Sequence, residues 1–467
     1  AHRPARQRRV AGSKPERRIM TANVSSFPLF ATRRFLPLWL AVCESAFTDN
    51  MLRQALIIAI VYGAVSSGFF KDPTDAIPVI GALFSAAILI CTSAAGQVAE
   101  KFETRMLLRR IKFVEIALML AAAIGFALQS GMLLMIVFIG FSAQVAFFNP
   151  VRIVALPKYL HPEELVRGNA YCSAGLFVSV VLGLYLGGVL IDTPMGPQIV
   201  SIILVAAAAA ALAAVLALPE APADAPNLRI DWNPVGQTGR ILRFAFCEAG
   251  VWRPLAGVAF FYVVSTVTTI LVPLYAIEEL GADGAAATAI MGVFAIGAGF
   301  GAIAAALISK RRSGLGFSFL GVVGAGVMTA SVYFLTERVA ATGASATISE
   351  LVSHGPGVML LAGFFFCSGF MGLYLVPLQA AAQRRAPAGK RARILAAGNI
   401  LNAICAMVGS LCVLAITNTQ LSPADGLLML ATMQFAVGVY MAKRFFALPR
   451  GFHDDMLLAR GQPEPST

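Results

Sequence analysis

The chain has 467 residues, of which 58% are hydrophobic and only 13% are charged, and its formal net charge is +12. Soluble domains are about 45–50% apolar and about 25% charged. The composition therefore excludes an ordinary soluble protein and predicts one that is embedded in a membrane.

Twelve apolar segments follow one another along the chain. A bilayer core about 30 Å thick requires ~20 apolar residues per helix, and each segment is a continuous apolar run, unlike the alternating strands of an outer-membrane barrel. We therefore predict an all-α integral membrane protein with twelve transmembrane helices. The segments lie near 35–65, 77–98, 111–130, 132–150, 170–191, 196–218, 254–277, 286–309, 314–335, 357–381, 394–417 and 423–446.

The basic residues alternate with these segments. Twenty of the 36 Lys and Arg fall in or beside the connections after even-numbered segments, and two lie in the connections after odd-numbered segments. By the positive-inside rule, the even connections and both termini are cytoplasmic. The positive charge thus reports topology and contact with anionic lipids, and it does not indicate a nucleic-acid partner. Arg53 is the only basic residue that this count leaves inside a segment.

The longest hydrophilic connection follows segment 6 and separates two six-helix halves. Its last part, 241–252, can form an amphipathic helix on the cytoplasmic surface, or it can be a solvated lead-in to segment 7. The predicted regions are a basic cytoplasmic tail (1–34), an N-terminal half (35–218), a cytoplasmic linker (219–253), a C-terminal half (254–446) and a cytoplasmic C-terminal tail (447–467).

The two halves contain a weak repeat. In each, a proline at the cytoplasmic end of a helix is followed by a basic stretch and then by Gly-Asn, with similar spacing from Pro150 to Gly168 and from Pro377 to Gly398. With the count of six plus six, this pattern resembles the major facilitator superfamily, in which two parallel halves enclose a central cavity.

Segment 1 carries four polar residues, Glu44, Asp49, Asn50 and Arg53. A charged side chain at the bilayer centre costs about 2.5–3.5 kcal/mol, so these residues must face the protein interior or a water-filled cavity. The spacing of Asp49 and Arg53 places them on one helix face, where they can pair. They either neutralise each other or offer an acid and a base to a substrate that carries both charges.

Other polar residues at membrane depth are few. Glu115 follows Lys112 by three positions and is expected to form a local ion pair near the cytoplasmic face. Amides within membrane helices more often bond to neighbouring helices than to ligands. The remaining residues are Gln144, Asn149, Arg152, Gln379, Gln383, Asn399 and Asn402.

The connection after segment 2 reads "GQVAEKFETR" (96–105). It resembles the superfamily's short Gly-x-x-x-Asp connection, with Gly96 in the glycine position and Glu100 in the position of the acid. An acid at a helix end that faces Arg105 or a neighbouring basic residue can form a latch that opens and closes. The alternative is an ordinary charged turn.

Catalytic and metal-binding motifs are missing from the sequence. It has no phosphate-binding glycine loop, no Ser-His-Asp set and no grouping of the seven cysteines or four histidines with metal-ligand spacing. We therefore expect a protein that is not an enzyme, binds no metal or cofactor, and transports without hydrolysis.

Several stretches resemble the bacterial lysophospholipid transporters of the major facilitator superfamily. They are "SAFTDNMLRQAL" (45–56), "GQVAEKF" (96–102), "NPVRIVALPKYLHPEELVRGNA" (149–170), "WNPVGQTGRILRFAF" (232–246) and "LVPLQAAAQRR" (375–385). The resemblance implies alternating-access movement of lysophospholipids, chiefly lysophosphatidylethanolamine, from the outer to the inner leaflet of the bacterial inner membrane. A separate acyltransferase would then reacylate them, since no acyltransferase motif occurs in this chain.

Such a substrate carries an ammonium and a phosphate. We expect Asp49, and secondly Glu44, to bind the ammonium and Arg53 to bind the phosphate. Further expected substrate-binding residues are Asn50, Arg152, Gln379 and Gln383. Segment 7 departs from the family because it has no basic residue opposite the acid of segment 1; Ser265 lies near that place. The alternative function is proton-coupled transport of a small cationic drug or metabolite. In either case we expect the protein to be a monomer.

Overall fold

The computed structural model describes residues 29–66, 75–161, 164–231, 233–247, 250–309, 316–340, 347–385, 391–419 and 421–446. The greater part of both predicted tails therefore lies outside the described residues. The described chain is helical throughout and forms no β-strand. The helices are α1 (Leu36–Val61), α2 (Ala76–Lys101), α3 (Thr104–Ala127), α4 (Gly131–Tyr159), α5 (Leu165–Ile191), α6 (Gly196–Leu216), α7 (Pro234–Cys247), α8 (Trp252–Glu278), α9 (Gly284–Ser309), α10 (Gly316–Ala340), α11 (Ile348–Ser353), α12 (Gly355–Arg385), α13 (Arg391–Thr417) and α14 (Pro423–Phe446).

The predicted fold class, a membrane-embedded helical bundle, is confirmed. Within the described ranges, nine helices are long and apolar enough to cross a membrane, and the bent α2 makes a tenth if it counts as one span. Helices α1 and α3 have 26 and 24 residues and are long enough to span. They differ from the others because each carries at least three charged residues, including Glu44 on α1 and Lys112 on α3.

The helices pack in two groups. In the first, α1 lies against α5 and α6, and α2 and α3 lie against α4. In the second, α12 lies between α9 and α10, while α8 packs on α13. The groups meet where α5 contacts α9 and where α2 contacts α13. We call the end of the bundle at which α2, α4 and α6 terminate the basic end.

Glycines allow the closest helix contacts in the first group. A Cβ atom added to Gly187 of α5 would lie 2.5 Å from the Met51 carbonyl oxygen of α1, and one on Gly183 would lie 2.5 Å from the Phe47 carbonyl oxygen. Small residues permit such backbone approach between membrane helices. The face of α1 that carries Asn50 and Met51 is therefore held tightly against α5.

Two helices continue beyond the prolines that were predicted near their cytoplasmic ends. Pro150 and Pro377 lie inside α4 and α12, which continue to Tyr159 and Arg385. An interior proline removes one backbone hydrogen bond, but in membrane helices neighbouring groups compensate for that loss. Consequently Arg152, which was counted with the connection after segment 4, lies on a helix.

The beginning of α3 was also predicted too late. The helix starts at Thr104, so Lys112 lies two turns inside it and its side chain is fully buried. Lys112 therefore does not belong to the basic connection with which it was counted. Arg53 is consequently not the only basic residue inside a helix of the bundle, as was predicted. Charged residues in the first turns of a membrane helix lower its hydropathy, so the apolar pattern marks the helix start too late.

Candidate functional site

An ion pair lies at the middle of α1. Arg53 Nη2 is 2.8 Å from Asp49 Oδ2, as the i, i+4 spacing predicts. The guanidinium carbon of Arg53 also lies 4.7 Å from the ring centre of Phe84 on α2, a cation–π contact. The side chains of Arg53 and Asp49 keep 22% and 15% of their exposure. The pair is therefore held in place and remains accessible from one side.

Both members of this pair have hydrogen-bonding capacity left. Asp49 Oδ1 and Arg53 Nε are buried and have no hydrogen-bond partner within the described parts of the chain. A buried polar atom without a partner costs free energy. A ligand that carries both a donor and an anionic acceptor would satisfy both atoms.

Arg53 opens onto a cavity of about 270 Å³ between the two groups of helices. Most of its wall is apolar and comes from α5 and α9. Its polar members are Asn50, Arg53 and Gln54 of α1 and Thr269 of α8. A mainly apolar pocket with a few polar groups at one wall suits an amphipathic ligand. The other lining residues are Ile57, Leu176, Phe177, Val180, Leu184, Met291, Phe294, Ala295 and Ala298.

The end of this cavity away from the basic end is closed by contacts between the halves. Tyr62 Oη donates to the Ala282 carbonyl oxygen at 2.8 Å, and Gln54 Nε2 lies 3.5 Å from Thr288 Oγ1. Gly188 of α5 also lies against Thr288 of α9, so closely that a Cβ there would be 1.9 Å from the threonine oxygen. In the structure the halves are therefore in contact on that side of the site.

A second charged cluster lies on the neighbouring face of α1. Lys112 Nζ contacts Glu44 Oε2 at 2.5 Å and Glu115 Oε2 at 2.7 Å. The Lys112 ammonium lies 4.7 Å from the ring centre of Phe148 on α4. The Lys112–Glu115 pair predicted from spacing is present, and in the structure it is completely buried and also includes Glu44.

Sequence reasoning missed this cluster because it joins residues 68 positions apart. Glu44 was expected to contact substrate, and the structure instead places it against Lys112. The one signal in the sequence was the presence of charges in two otherwise apolar helices, since buried charges in membranes pair with one another.

The remaining predicted binding residues are dispersed. Arg152 on α4 is half-buried and lies near Cys172 of α5 and Tyr262 of α8, between the halves. Asn50 is buried and its amide donates to the Ala46 carbonyl oxygen at 2.8 Å. Gln379 is half-buried on α12. The side chain of Gln383 lies outside the described residues.

The predicted latch residues contact the linker. Arg105 Nη1 lies 3.5 Å from Glu220, and the backbone oxygen of Glu100 accepts from the amides of Asp224 and Ala225 at 3.1 and 2.9 Å. A Cβ at Gly96 would meet no atom within 4 Å. No ion pair joins Glu100 to Arg105 among the residues that the structure describes.

The helix α7 continues this attachment. It lies within the linker, begins seven residues before the predicted amphipathic stretch, and packs against both α2 and α13. The side chain of Gln97 on α2 donates to Gln237 at 2.9 Å and accepts from the Asp231 amide at 2.9 Å. The Asn233 amide and Arg240 hold the pKa of the exposed Asp231 carboxyl below its usual range. Linker and helix therefore cover the seam between α2 and α13.

The described residues include no group of His, Cys, Asp and Glu that could hold a metal ion. The seven cysteines are free.

The comparisons with known proteins agree with this architecture. A family model described as the Major Facilitator Superfamily matches residues 38–410. The lysophospholipid transporter LplT of Yersinia enterocolitica is 28% identical over 269 residues, which are 56% of this chain and 62% of that protein. The alignment with this relative thus covers less than two thirds of its length.

Solved structures of transporters share the fold. A POT family transporter in complex with 5-aminolevulinic acid aligns with a TM-score of 0.64 at 16% identity, covering 88% of this chain and 95% of that one. A D-xylose-proton symporter aligns with a TM-score of 0.62 at 10% identity, covering 86% and 96%. A bacterial homologue of the iron transporter ferroportin in an inward-facing state aligns with a TM-score of 0.60 at 11% identity, covering 87% and 98%.

Proposed function

The chain belongs to the Major Facilitator Superfamily and is a membrane transporter, and we propose that it moves lysophospholipids, chiefly lysophosphatidylethanolamine, from the outer to the inner leaflet of a bacterial inner membrane. The observation that carries this proposal is the Asp49–Arg53 pair, whose arginine lines a mainly apolar cavity. The similarity to the Yersinia lysophospholipid transporter supports the same substrate class.

The charges of the pair complement such a head group. Asp49 Oδ1 accepts hydrogen bonds from the ammonium, and Arg53 donates to the phosphate through Nε and the rest of its guanidinium. Arginine suits a phosphate because its planar group donates two parallel bonds. Both Asp49 Oδ1 and Arg53 Nε have no other partner in the described structure, so the head group satisfies buried atoms that are otherwise unpaired.

The cavity wall suits the acyl chain. Phe177, Leu184 and Phe294 lie between the two halves on the α5 and α9 sides. An acyl chain gains about 0.8 kcal/mol for each CH₂ group removed from water, and it loses little when it passes from the bilayer to an apolar wall. The site therefore has to desolvate only the head group, which meets Asp49 and Arg53.

The distribution of basic residues indicates how the protein is oriented in the membrane. The basic end is cytoplasmic by the positive-inside rule, so the contacts around Thr288 lie on the outer side and close the site to that side. Opening of these contacts would admit lysophospholipid from the outer leaflet. Anionic lipids would contact the basic end, and reacylation would be the work of a separate acyltransferase.

The proposal is tested by uptake of labelled lysophosphatidylethanolamine into proteoliposomes that contain the purified chain. Vesicles without protein and vesicles with the Asp49→Asn variant are the controls. Uptake above both controls is expected. Uptake of a small organic cation that is abolished by an uncoupler, with no lysophospholipid uptake, would instead support the proton-coupled alternative.

A further inference from the structure

The buried cluster of Glu44, Lys112 and Glu115 has an unequal number of charges. Two carboxylates share one ammonium, and the side chains of Lys112 and Glu115 are completely buried. An uncompensated charge away from water is strongly unfavourable. This composition therefore favours the binding of one further positive charge.

The hydrogen bonds distinguish the two carboxylates. Glu115 accepts from Lys112 and from the Gln144 amide at 2.8 Å through Oε2, and from the Thr48 hydroxyl at 3.2 Å through Oε1. Glu44 accepts from Lys112 through Oε2, while its buried Oε1 has no partner among the described residues. Both oxygens of Glu115 therefore already accept from donors, and Glu44 Oε1 is the oxygen of the two carboxyls that has room for a proton.

Glu44 and Glu115 also differ in how exposed their side chains are. The Glu44 side chain keeps 10% of its exposure, whereas Lys112 and Glu115 keep none. Glu44 lies on α1, the helix that also carries Asp49 and Arg53. Of the three charged members of the cluster, Glu44 is thus the one whose side chain keeps accessible surface.

Among the described residues, no further ion pair reaches the cluster. On α3 itself, Arg105 pairs with Glu220 and Arg109 donates to the Leu216 carbonyl oxygen. Helix α6 has no charged residue, and those of α2 are at its end, at Glu100 and Lys101. Helix α4 contributes Gln144 and Phe148 to the cluster and carries Arg152 one turn further on, near Cys172 of α5. On α1 itself, Asp49 and Arg53 neutralise each other.

We propose that this cluster is a proton-binding site, in which Glu44 Oε1 takes up one proton in the described arrangement and returns it to water when α1 moves away from α3. On uptake an O–H bond of hydronium breaks and the O–H bond of the carboxyl forms, and release reverses this transfer to water, so no other bond changes. Thr48 and Asp49 are adjacent on α1, and Thr48 contacts Glu115. A ligand that shifts α1 at Asp49 therefore also changes the contact between α1 and the cluster.

The test uses infrared difference spectroscopy of the purified full chain between acidic and alkaline pH. We expect one protonated carboxyl to persist at neutral pH, where exposed Asp and Glu have ionised. This band should disappear in Glu44→Gln and remain in the matched variant Asp49→Asn. Glu115→Gln should also lose it, because one carboxylate then balances one ammonium. A band that remains in Glu44→Gln or in Glu115→Gln, or that is lost in Asp49→Asn, would overturn the assignment.

A second variant covers the case in which Glu44→Gln does not fold. Glu44→Asp keeps the carboxyl but shortens it, so its band should titrate at a different pH from that of the wild-type chain. An unchanged titration in Glu44→Asp would refute the site.

The link to transport rests on the proposed function and is measured separately. In proteoliposomes with equal pH on both sides, lysophosphatidylethanolamine uptake should vary across the pH range in which the band titrates, and this variation should be absent in Glu44→Gln. Identical pH profiles would refute the link. If the band is present and no lysophospholipid is transported at any pH, the proposed substrate fails and the proton site stands.

Discussion

Lys112 Nζ on α3 lies 2.5 Å from Glu44 Oε2 on α1, with the lysine side chain completely buried. This contact joins the helix that carries the candidate head-group site to a helix that does not line the cavity. Charged residues lower the hydropathy of α1 and α3 below that of ordinary membrane spans. In the structure, these charges pair with one another between the two helices.

Removal of the lysine should destabilise the protein strongly. Lys112→Met leaves two carboxylates without their ammonium, and breaking a buried ion pair on one side costs about 3–5 kcal/mol. We expect a clearly lower midpoint of thermal unfolding in detergent. The triple variant Lys112→Met, Glu44→Gln and Glu115→Gln removes all three charges and should recover much of the loss; equal destabilisation in both variants would contradict the electrostatic explanation.

A charge swap separates substrate binding from simple neutralisation at the head-group site. Asp49→Asn should lower lysophosphatidylethanolamine uptake about tenfold or more, since a hydrogen bond to a charged group is worth roughly 1.5–3 kcal/mol. The double variant Asp49→Arg with Arg53→Asp keeps an i, i+4 ion pair but exchanges the positions of its charges. Uptake should stay low in the swapped chain if the pair binds the head group, and it should recover if the pair only neutralises itself.

The contact between the halves can be tested at Gly188. Because a Cβ there would lie 1.9 Å from Thr288 Oγ1, Gly188→Ala should push α5 and α9 apart on the side away from the basic end. The matched control is Gly292→Ala on α9, where a Cβ meets no atom within 4 Å.

Spin labels at the exposed residues Met195 and Leu421 report this separation in a chain whose native cysteines have been replaced. The distance distribution should shift to longer values in Gly188→Ala and stay unchanged in Gly292→Ala. An unshifted distribution in Gly188→Ala would show that the helices accommodate the methyl group without opening.

A pH-dependent contribution to stability is expected at the basic end. Arg34 lies 2.8 Å from Glu164 at the start of α5. Partial burial raises the pKa of Glu164, but the His161 amide and Arg34 outweigh it and hold the pKa below its usual range. The stabilisation is therefore complete above the unfolded-state pKa of about 4.3 and is lost as the pH falls through the lowered native value.

Arg34→Ala should lower the unfolding midpoint slightly at neutral pH, by no more than about 1 kcal/mol of stability. The difference in stability between Arg34→Ala and the wild-type chain should shrink as the pH falls through the lowered native pKa of Glu164. The neighbouring exposed residue Arg33 gives the control, because Arg33→Ala should have no pH-dependent effect. A constant difference for Arg34→Ala at all pH values would rule out the ion pair as its cause.

The local pattern of the sequence determined the helical membrane bundle and one ion pair of the candidate site. The apolar runs predicted the membrane bundle, and the spacing of Asp49 and Arg53 predicted their ion pair, because both depend on residues that are neighbours along one helix.

Only the tertiary structure decided which charges are internal. Lys112 and Arg152 were assigned to connections because charge lowers local hydropathy, yet both lie on helices, and Lys112 is buried by partners from α1 and α4 that no local pattern reveals. Pro150 and Pro377 likewise do not end their helices. A buried charge is stable only when distant segments supply its counter-charge and hydrogen bonds, so its position depends on the packing of the whole bundle.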